Sequence, residues 1–292
     1  MTIDFEQHRG HLRGVAYRML GSLAEADDAV QEAWLRLDRA APSEVANPRG
    51  WLTTTVARIC LDMLRARSSR REEPLAPRDD RPTTTDAQQE LILADQVGLA
   101  LLVVLDKLEP AERLAFVLHD LFGVPFEEIA TMLARSSDTA RQLASRARRR
   151  VKGSRPPDTV LASQRQLVET FIAALRRGDV EGLIAVLDPE VVGRAVDNSG
   201  TVREIRGART WASGAVTFAH LASHMAPALI DGAVGLVMAP KGRLFRALRF
   251  TFDGGDRITG AEVISDRARL DALDITVIAE SPLPSPTSAP AG

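Results

Sequence analysis

Arg141, Gln142, Ser145, Arg146 and Arg149 fall at spacings that share one side of a helix. Guanidinium and amide groups on such a face can meet phosphate oxygens and the acceptor edges of guanine in a major groove. On the opposite side, Ala140, Leu143 and Ala147 form an apolar inward face. A helix of this kind needs a second element to hold it against the duplex. Phe126 to Leu133 supplies one, with Ile129, Ala130 and Leu133 inward, after a turn at Gly123-Val124-Pro125. Small residues at Ala130 and Ala140 let the two helices cross closely. The pair has helix-turn-helix character, its second helix running from about Ser137 to Val151. The bland alternative is a solvated basic helix end at Arg146–Arg150, favoured by the helix dipole. The preceding turn and the paired small residues favour DNA.

The formal net charge of −2 hides this segment. Residues 126–155 carry 8 basic and 3 acidic groups, whereas residues 72–125 carry 4 and 11. Such asymmetry points to nucleic acid more directly than the total does. Hydrophobic residues at 45% and charged residues at 26% exclude global disorder and fibrous repeats. Aromatics are only 4%, so the core must rest on Leu, Val, Ile and Ala, which leans helical. A single cysteine, Cys60, excludes an internal disulfide and a four-thiolate metal site, and fits a reducing compartment. No apolar run is long enough for a membrane span, and residues 1–11 lack the apolar core of a signal peptide.

Residues 7–71 read as helices. Within Glu25–Arg39, Ala26, Ala29, Val30, Ala33, Trp34 and Leu37 recur at three and four, predicting one apolar stripe. Ser22 and Glu25 have capping-box spacing, and Asp27 and Asp28 suit the first turns. After the turn Asn47-Pro48-Arg49-Gly50, a long helix is expected from Trp51 to about Arg67, with Leu52, Val56, Ile59, Cys60, Met63 and Leu64 inward. Residues 72–88 are acidic and Pro-rich and read as a linker. Helices resume over 89–153: an aliphatic one at Leu91–Leu105, another from Glu109-Pro110 through Leu118, then the helix-turn-helix. Beyond Arg155-Pro156-Pro157 the pattern changes class. Helices at Ser163–Arg177 and Val180–Leu187 precede strand-like runs, with turns at Asp231-Gly232 and Asp253–Asp256, and Leu248, Phe250 and Phe252 on one face. Two helices followed by antiparallel strands make an α+β plan over 158–280. Residues 281–292 are Pro-, Ser- and Ala-rich and read as a disordered tail.

Two helical segments joined by an acidic linker, the second ending in Glu128-Ile129-Ala130 and Thr139-Ala140-Arg141-Gln142-Leu143-x-Ser145-Arg146-Ala147-Arg148, resemble an extracytoplasmic-function (ECF) bacterial RNA polymerase sigma factor. Ala26-Asp27-Asp28-Ala29-Val30-Gln31-Glu32-Ala33-Trp34 resembles that family's polymerase-binding helix. Asn47-Pro48-Arg49-Gly50-Trp51-Leu52 through Cys60-Leu61-Asp62-Met63-Leu64-Arg65 resembles its promoter-melting segment. Residues 158–280 resemble the SnoaL-like branch of the NTF2-like cone fold, carried by Arg176-x-Gly178-Asp179-Val180-x-Gly182-Leu183 and Leu187-Asp188-Pro189-Glu190-Val191. Carrying such a domain resembles the sigma-factor subgroups with a fused C-terminal domain, and the chain departs from their pattern at Glu73-Pro74-Leu75-Ala76-Pro77, Asp197-Asn198-Ser199-Gly200 and Ser265-Asp266-Arg267.

The resemblance implies a multidomain chain: an all-α sigma domain 2 over 5–71, the linker at 72–88, an all-α sigma domain 4 with the helix-turn-helix over 89–153, and an α+β SnoaL-like domain over 158–280. It implies docking on core RNA polymerase, at the β′ clamp and β flap, with Asp28, Gln31 and Glu32 at the polymerase. Asn47, Arg58, Arg65, Arg67, Arg70 and Arg71 would engage the −10 element, partly single-stranded, and Arg141, Gln142, Ser145, Arg146 and Arg149 the double-stranded −35 element. The C-terminal domain would tune activity in cis. No catalytic residue, metal, cofactor or membrane partner is expected, and the implied location is the bacterial cytoplasm, at the nucleoid. His220, His224, Asp197 and Asp231 are the acid–base candidates an enzymatic cone would need, and the sequence does not bring them together. The alternative is a ligand-responsive helix-turn-helix repressor or activator with the cone as sensor.

Overall fold

A computed structural model describes residues 5–39, 47–71, 98–152, 158–196, 202–254 and 256–278. The linker at 72–88 and the tail at 281–292 lie outside the described residues. Three helices come first: α1 (Phe5–Leu20), α2 (Leu23–Arg39) and α3 (Pro48–Arg71). Most of the residues that the three-and-four spacing selects in α2 and α3 are buried. Leu12, Val15, Ala16 and Met19 of α1 meet Ala26, Ala29, Val30 and Ala33 of α2 and Leu52, Val56, Cys60 and Leu64 of α3 in one core. Pro48 takes the first helical position of α3, where its missing N–H costs nothing.

The expected helix at Leu91–Leu105 is described only from residue 98, as α4 (Leu99–Asp106). α5 (Pro110–Phe116) follows Glu109 and runs into a wide π turn at Val117–Leu121. α6 (Phe126–Leu133) and α7 (Ser137–Lys152) come next. Contacts gather α1–α3 and Leu105–Arg150 into one body, in which α5 and α6 pack on α3. Residues 98–104 and Val151–Ile278 belong to a second body.

The second body contains α8 (Asp158–Arg177), α9 (Val180–Val186), α10 (Ala208–Val216), a 3-10 turn at Ala219–His224 and α11 (Arg267–Ala272). Its strands are β1 (Leu187–Val196), β2 (Val202–Arg206), β3 (Met225–Ile230), β4 (Ala233–Met238), β5 (Arg246–Phe252), β6 (Ile258–Ile264) and β7 (Ile275–Thr276). They form one sheet in the order β2-β1-β6-β5-β4-β3-β7. The expectation of purely antiparallel strands needs correcting: β1 pairs with β6 in parallel, so the sheet is mixed. The α10 helix lies between β2 and β3 in the chain, which the two-helices-then-strands plan did not include.

Asp231 and Gly232 take positive φ of 51° and 82° and close the β3–β4 hairpin, the geometry that matches strand twist. Leu248 and Phe250 of β5 share a core with Leu229, Val234 and Leu236, covered by Val168, Phe171 and Leu175 of α8, Leu183 of α9 and Trp211 of α10. Phe171 touches both Trp211 and Phe250, with ring centroids 5.5 Å apart in each pair. The chain therefore adopts the expected class, helical segments ahead of an α+β body.

Candidate nucleic-acid interface

The helix-turn-helix is built by short-range chemistry. Gly123 takes φ of 69° in the turn, where a side chain would be strained. His119 Nδ1 donates to the Val124 carbonyl at 3.0 Å and the imidazole stacks on Phe126 at 3.8 Å, fixing how the chain enters α6. Ala134 ends α6 in the left-handed region at φ 52°. The Ser136 hydroxyl accepts from the Thr139 N–H at 3.2 Å and so caps α7. Ile129 and Ala140 are wholly or almost wholly buried, with Ala130, Leu133, Leu143 and Ala147 beside them. At about 100° per residue, Arg141, Gln142, Ser145, Arg146 and Arg149 occupy an arc of about 140°. Arg141, Gln142, Arg146 and Arg149 are exposed and Ser145 is half-buried.

The face is not uniformly free. Arg141 lies over the Phe126 ring and pairs with Glu127 at 3.0 Å and Asp138 at 2.9 Å. Glu112 of α5 is only 4% exposed and binds two α7 arginines, Arg146 at 2.9 Å and Arg150 at 3.2 Å. Arg148 pairs with Asp120. Among the described residues, Arg149 has no carboxylate partner. Three of the four arginines in Arg146–Arg150 thus anchor α7 to its own body. Sequence spacing has no means of showing this, because Glu112 lies 34 residues from Arg146.

In α3, Arg58 and Arg65 are exposed, Arg65 lying 3.8 Å from Asp62. Arg67 stands differently: it donates to the Leu20 carbonyl at 3.3 Å and pairs with Glu25, which ties α3 to the α1–α2 corner. Asn47 accepts from the Gly50 N–H at 3.0 Å and caps α3. The side chains of Arg70 and Arg71 lie outside the described residues. Trp51 is half-buried. In α2, Asp28 and Gln31 are exposed, and Glu32 pairs with Arg36 at 2.9 Å. Ser22 accepts from the Glu25 N–H at 3.5 Å, while the Glu25 carboxylate goes to Arg67 rather than back to the cap. Trp34 corrects the expected stripe. It is 46% exposed, an open indole on the same side as Gln31 and Asp38, while Ala26, Ala29, Val30, Ala33 and Leu37 are buried as expected.

Sequence reasoning also missed the junction between the two helical segments. Arg113 of α5 is 2% exposed; its Nε and Nη2 both donate to the Arg18 carbonyl at 3.2 Å, and Nη1 lies 3.6 Å from Asp106. Burial pulls its pKa down to about 10, against the opposing pull of Asp106. Phe122 meets His11 edge-on at 5.3 Å and Arg18 at 5.2 Å. His11 bonds Thr53 and Arg49, and burial, then Arg49, lower its pKa to about 4, so it is neutral at pH 7. Burial raises the Cys60 thiol to about 12, which leaves it unreactive. In the second body, Asp231 is a turn residue: it accepts from the Asp274 N–H and pairs with Arg249. Asp197 lies outside the described residues.

The exposed arginine face of α7 has the chemistry to meet a polyanion, and the acidic face of α2 with its open tryptophan has the chemistry to meet another protein. The family descriptions agree in both segments: Sigma-70 region 2 matches residues 5–70, and Sigma-70, region 4 matches residues 98–151. The probable ECF RNA polymerase sigma factor SigI of Mycobacterium tuberculosis is 40% identical over 208 residues, covering 69% of this chain and 72% of that protein. The ECF RNA polymerase sigma factor SigJ of the same organism is 40% identical over 219 residues, covering 70% and 68%. A crystal structure of Mycobacterium tuberculosis SigJ aligns with a TM-score of 0.46 at 32% identity, covering 91% of this chain and 96% of that one. The chain belongs to the ECF family of RNA polymerase sigma factors. Among the described residues, no helix is long and apolar enough to cross a membrane.

Proposed function

We propose that this chain binds core RNA polymerase through α2, grips the −10 region through α3 and reads the −35 region through α7. The observation that carries this reading is the exposed Arg141–Arg149 face on α7, within a segment that matches Sigma-70, region 4. On α2, Asp28 and Gln31 offer polar partners and Trp34 an apolar anchor to the β′ clamp, and Glu32 joins them by releasing Arg36. The second helical segment meets the β flap. Arg58 and Arg65 supply phosphate contacts, continued by Arg70 and Arg71. Asn47 and Arg67 support the −10 surface from within, as cap and brace. The chain acts in the cytoplasm at the nucleoid, without catalysing a reaction itself, and the sheet body tunes its activity in cis. A free-standing repressor is not favoured, because it has no use for a Sigma-70 region 2 segment ahead of its helix-turn-helix.

Run-off transcription with purified core polymerase tests the reading. The full chain gives promoter-specific transcripts. Asp28→Lys with Glu32→Lys abolishes them by losing core binding. Arg141→Ala with Arg149→Ala abolishes them while core binding stays intact. A chain that never associates with core polymerase refutes the proposal, and a version ending near residue 160 that transcribes equally removes regulation in cis.

A further inference from the structure

The inner face of the sheet ends, at one rim, on a guanidinium with no carboxylate or hydrogen-bond partner among the described residues. Arg246 opens β5 and by two-residue alternation shares the face of Leu248, Phe250 and Phe252, which packs under the helices. It is registered opposite Met238 of β4, and Met238 opposite Met225 of β3; both methionines are core residues. Just outside this row stand Phe245, before β5, and Phe218, before the 3-10 turn. The Arg246 Cζ lies 5.2 Å from the Phe245 ring centroid and 5.5 Å from that of Phe218. The two rings are 49% and 42% exposed, two of the few large apolar side chains left open in the described chain.

Arg246 Nε is buried and has no hydrogen-bond partner. Among the described residues, no carboxylate or carbonyl accepts from the rest of its guanidinium. Arg194, Arg206, Arg249, Arg267 and Arg269 of the same body each hold a carboxylate. Partial burial pulls the Arg246 pKa down from the ordinary arginine value, as expected for a partly desolvated cation with no carboxylate partner among the described residues. An unmatched buried donor is expensive to keep. Rings beside a guanidinium satisfy its charge through their faces but accept no strong hydrogen bond, so the N–H groups stay available to an acceptor. The group that fits a guanidinium side-on is a carboxylate, taking two parallel N–H bonds. Open phenyl surface on either side suits an apolar body attached to that carboxylate and gives nothing to an inorganic anion.

We propose that Arg246, Phe218 and Phe245 form a binding site for a small organic carboxylate with an apolar body, at the rim of the sheet body. The carboxylate accepts from Nε and one Nη of Arg246, and the two rings cover the ligand's hydrocarbon part. This site is independent of the promoter contacts, and it stands or falls on binding alone.

The test is calorimetric titration of the full-length chain with butyrate, octanoate and phenylacetate, with phenylacetamide and inorganic phosphate as controls. At least one carboxylate binds saturably, and neither control competes. Arg246→Met lowers that affinity at least tenfold while leaving the melting temperature of the unliganded chain close to the parent's, because no internal hydrogen bond or ion pair is lost and the methionine keeps contact with the two rings. Phe218→Ala and Phe245→Ala, both changes at exposed rings, each weaken the carboxylate and serve as the readout should Arg246→Met not fold. No saturable binding by any of the three carboxylates overturns the proposal. So does equal affinity in the Arg246 or phenylalanine variants, or phosphate binding as tightly as the carboxylates.

Discussion

Replacing Arg113 by Met should unfasten the helical body. The methionine keeps most of the buried apolar volume, so the change removes chiefly charge and donors. Arg113 is 2% exposed, and its lost bonds are two to the Arg18 carbonyl at 3.2 Å and one contact to Asp106 at 3.6 Å. Breaking a buried pair from one side costs about 3–5 kcal/mol, because the remaining partner stays desolvated. Asp106 retains another interaction and its contact with Arg113 is long, which places the expected loss at the lower end, about 3 kcal/mol. That is a fall of about 150-fold in the ratio of closed to open molecules. Global unfolding of a two-body chain is not two-state, so the measurement is native-state hydrogen exchange of amides in α1, α3 and α5. Adding Asp106→Asn should recover about 1 kcal/mol by removing the stranded charge. A loss below about 0.5 kcal/mol in the single variant, within the range of an ordinary surface change, would refute the idea that Arg113 braces this junction.

Three further outcomes are expected. His11 has a folded pKa of about 4 against an ordinary 6.5, so below pH 6.5 the unfolded chain binds more protons; stability of the helical body therefore falls as pH drops from 6.5 to 4 and is constant above that window. Discounted for partial exposure, the effect is about 1–2 kcal/mol, and it is absent in His11→Gln when exchange is followed against pH. Gly193→Ala should destabilise the sheet body by about 2–3 kcal/mol in a thermal melt, since an added Cβ would stand 2.1 Å from the Trp211 indole nitrogen; a melt identical to the parent's would mean that β1 and α10 yield easily. Glu127→Gln with Asp138→Asn should free Arg141 of both its carboxylates and strengthen promoter binding, whereas Arg149→Ala should reduce the salt slope of DNA binding by about one unit; equal slopes would take Arg149 off the phosphate backbone.

Much of the helix-turn-helix was legible in the residue order. The bounds Phe126–Leu133 and the start of α7 at Ser137 follow from a Gly-Val-Pro turn, a Ser cap and apolar residues at three and four. These are local signals, each spanning a turn or two, and the same holds for the Asp231-Gly232 hairpin and the inward face of α3. Trp34 shows where local period stops being enough. It continues the α2 stripe by spacing, yet it is the neighbouring helices, α1 and α3, that decide how wide a stripe is covered, and their cover ends short of it.

What a side chain is for depended on partners far away in the chain. Arg67, Arg146 and Arg150 read identically to Arg58, Arg65 and Arg149 in a charge count. The first three meet Glu25 or Glu112 at 34 to 42 residues' distance and become braces, while Arg58 and Arg149 stay exposed and Arg65 has only Asp62, three residues away, at 3.8 Å. Arg113 reaches the Arg18 carbonyl across 95 residues, and β1 finds β6 in parallel across the whole of the intervening sheet. Periodicity and turn chemistry act within a few residues and so settle which helices and hairpins form. Desolvation and charge pairing act through space and are decided by packing, and packing alone separated the arginines that brace the protein from those whose guanidinium groups stay exposed and, at Arg246, from one whose buried Nε has no hydrogen-bond partner.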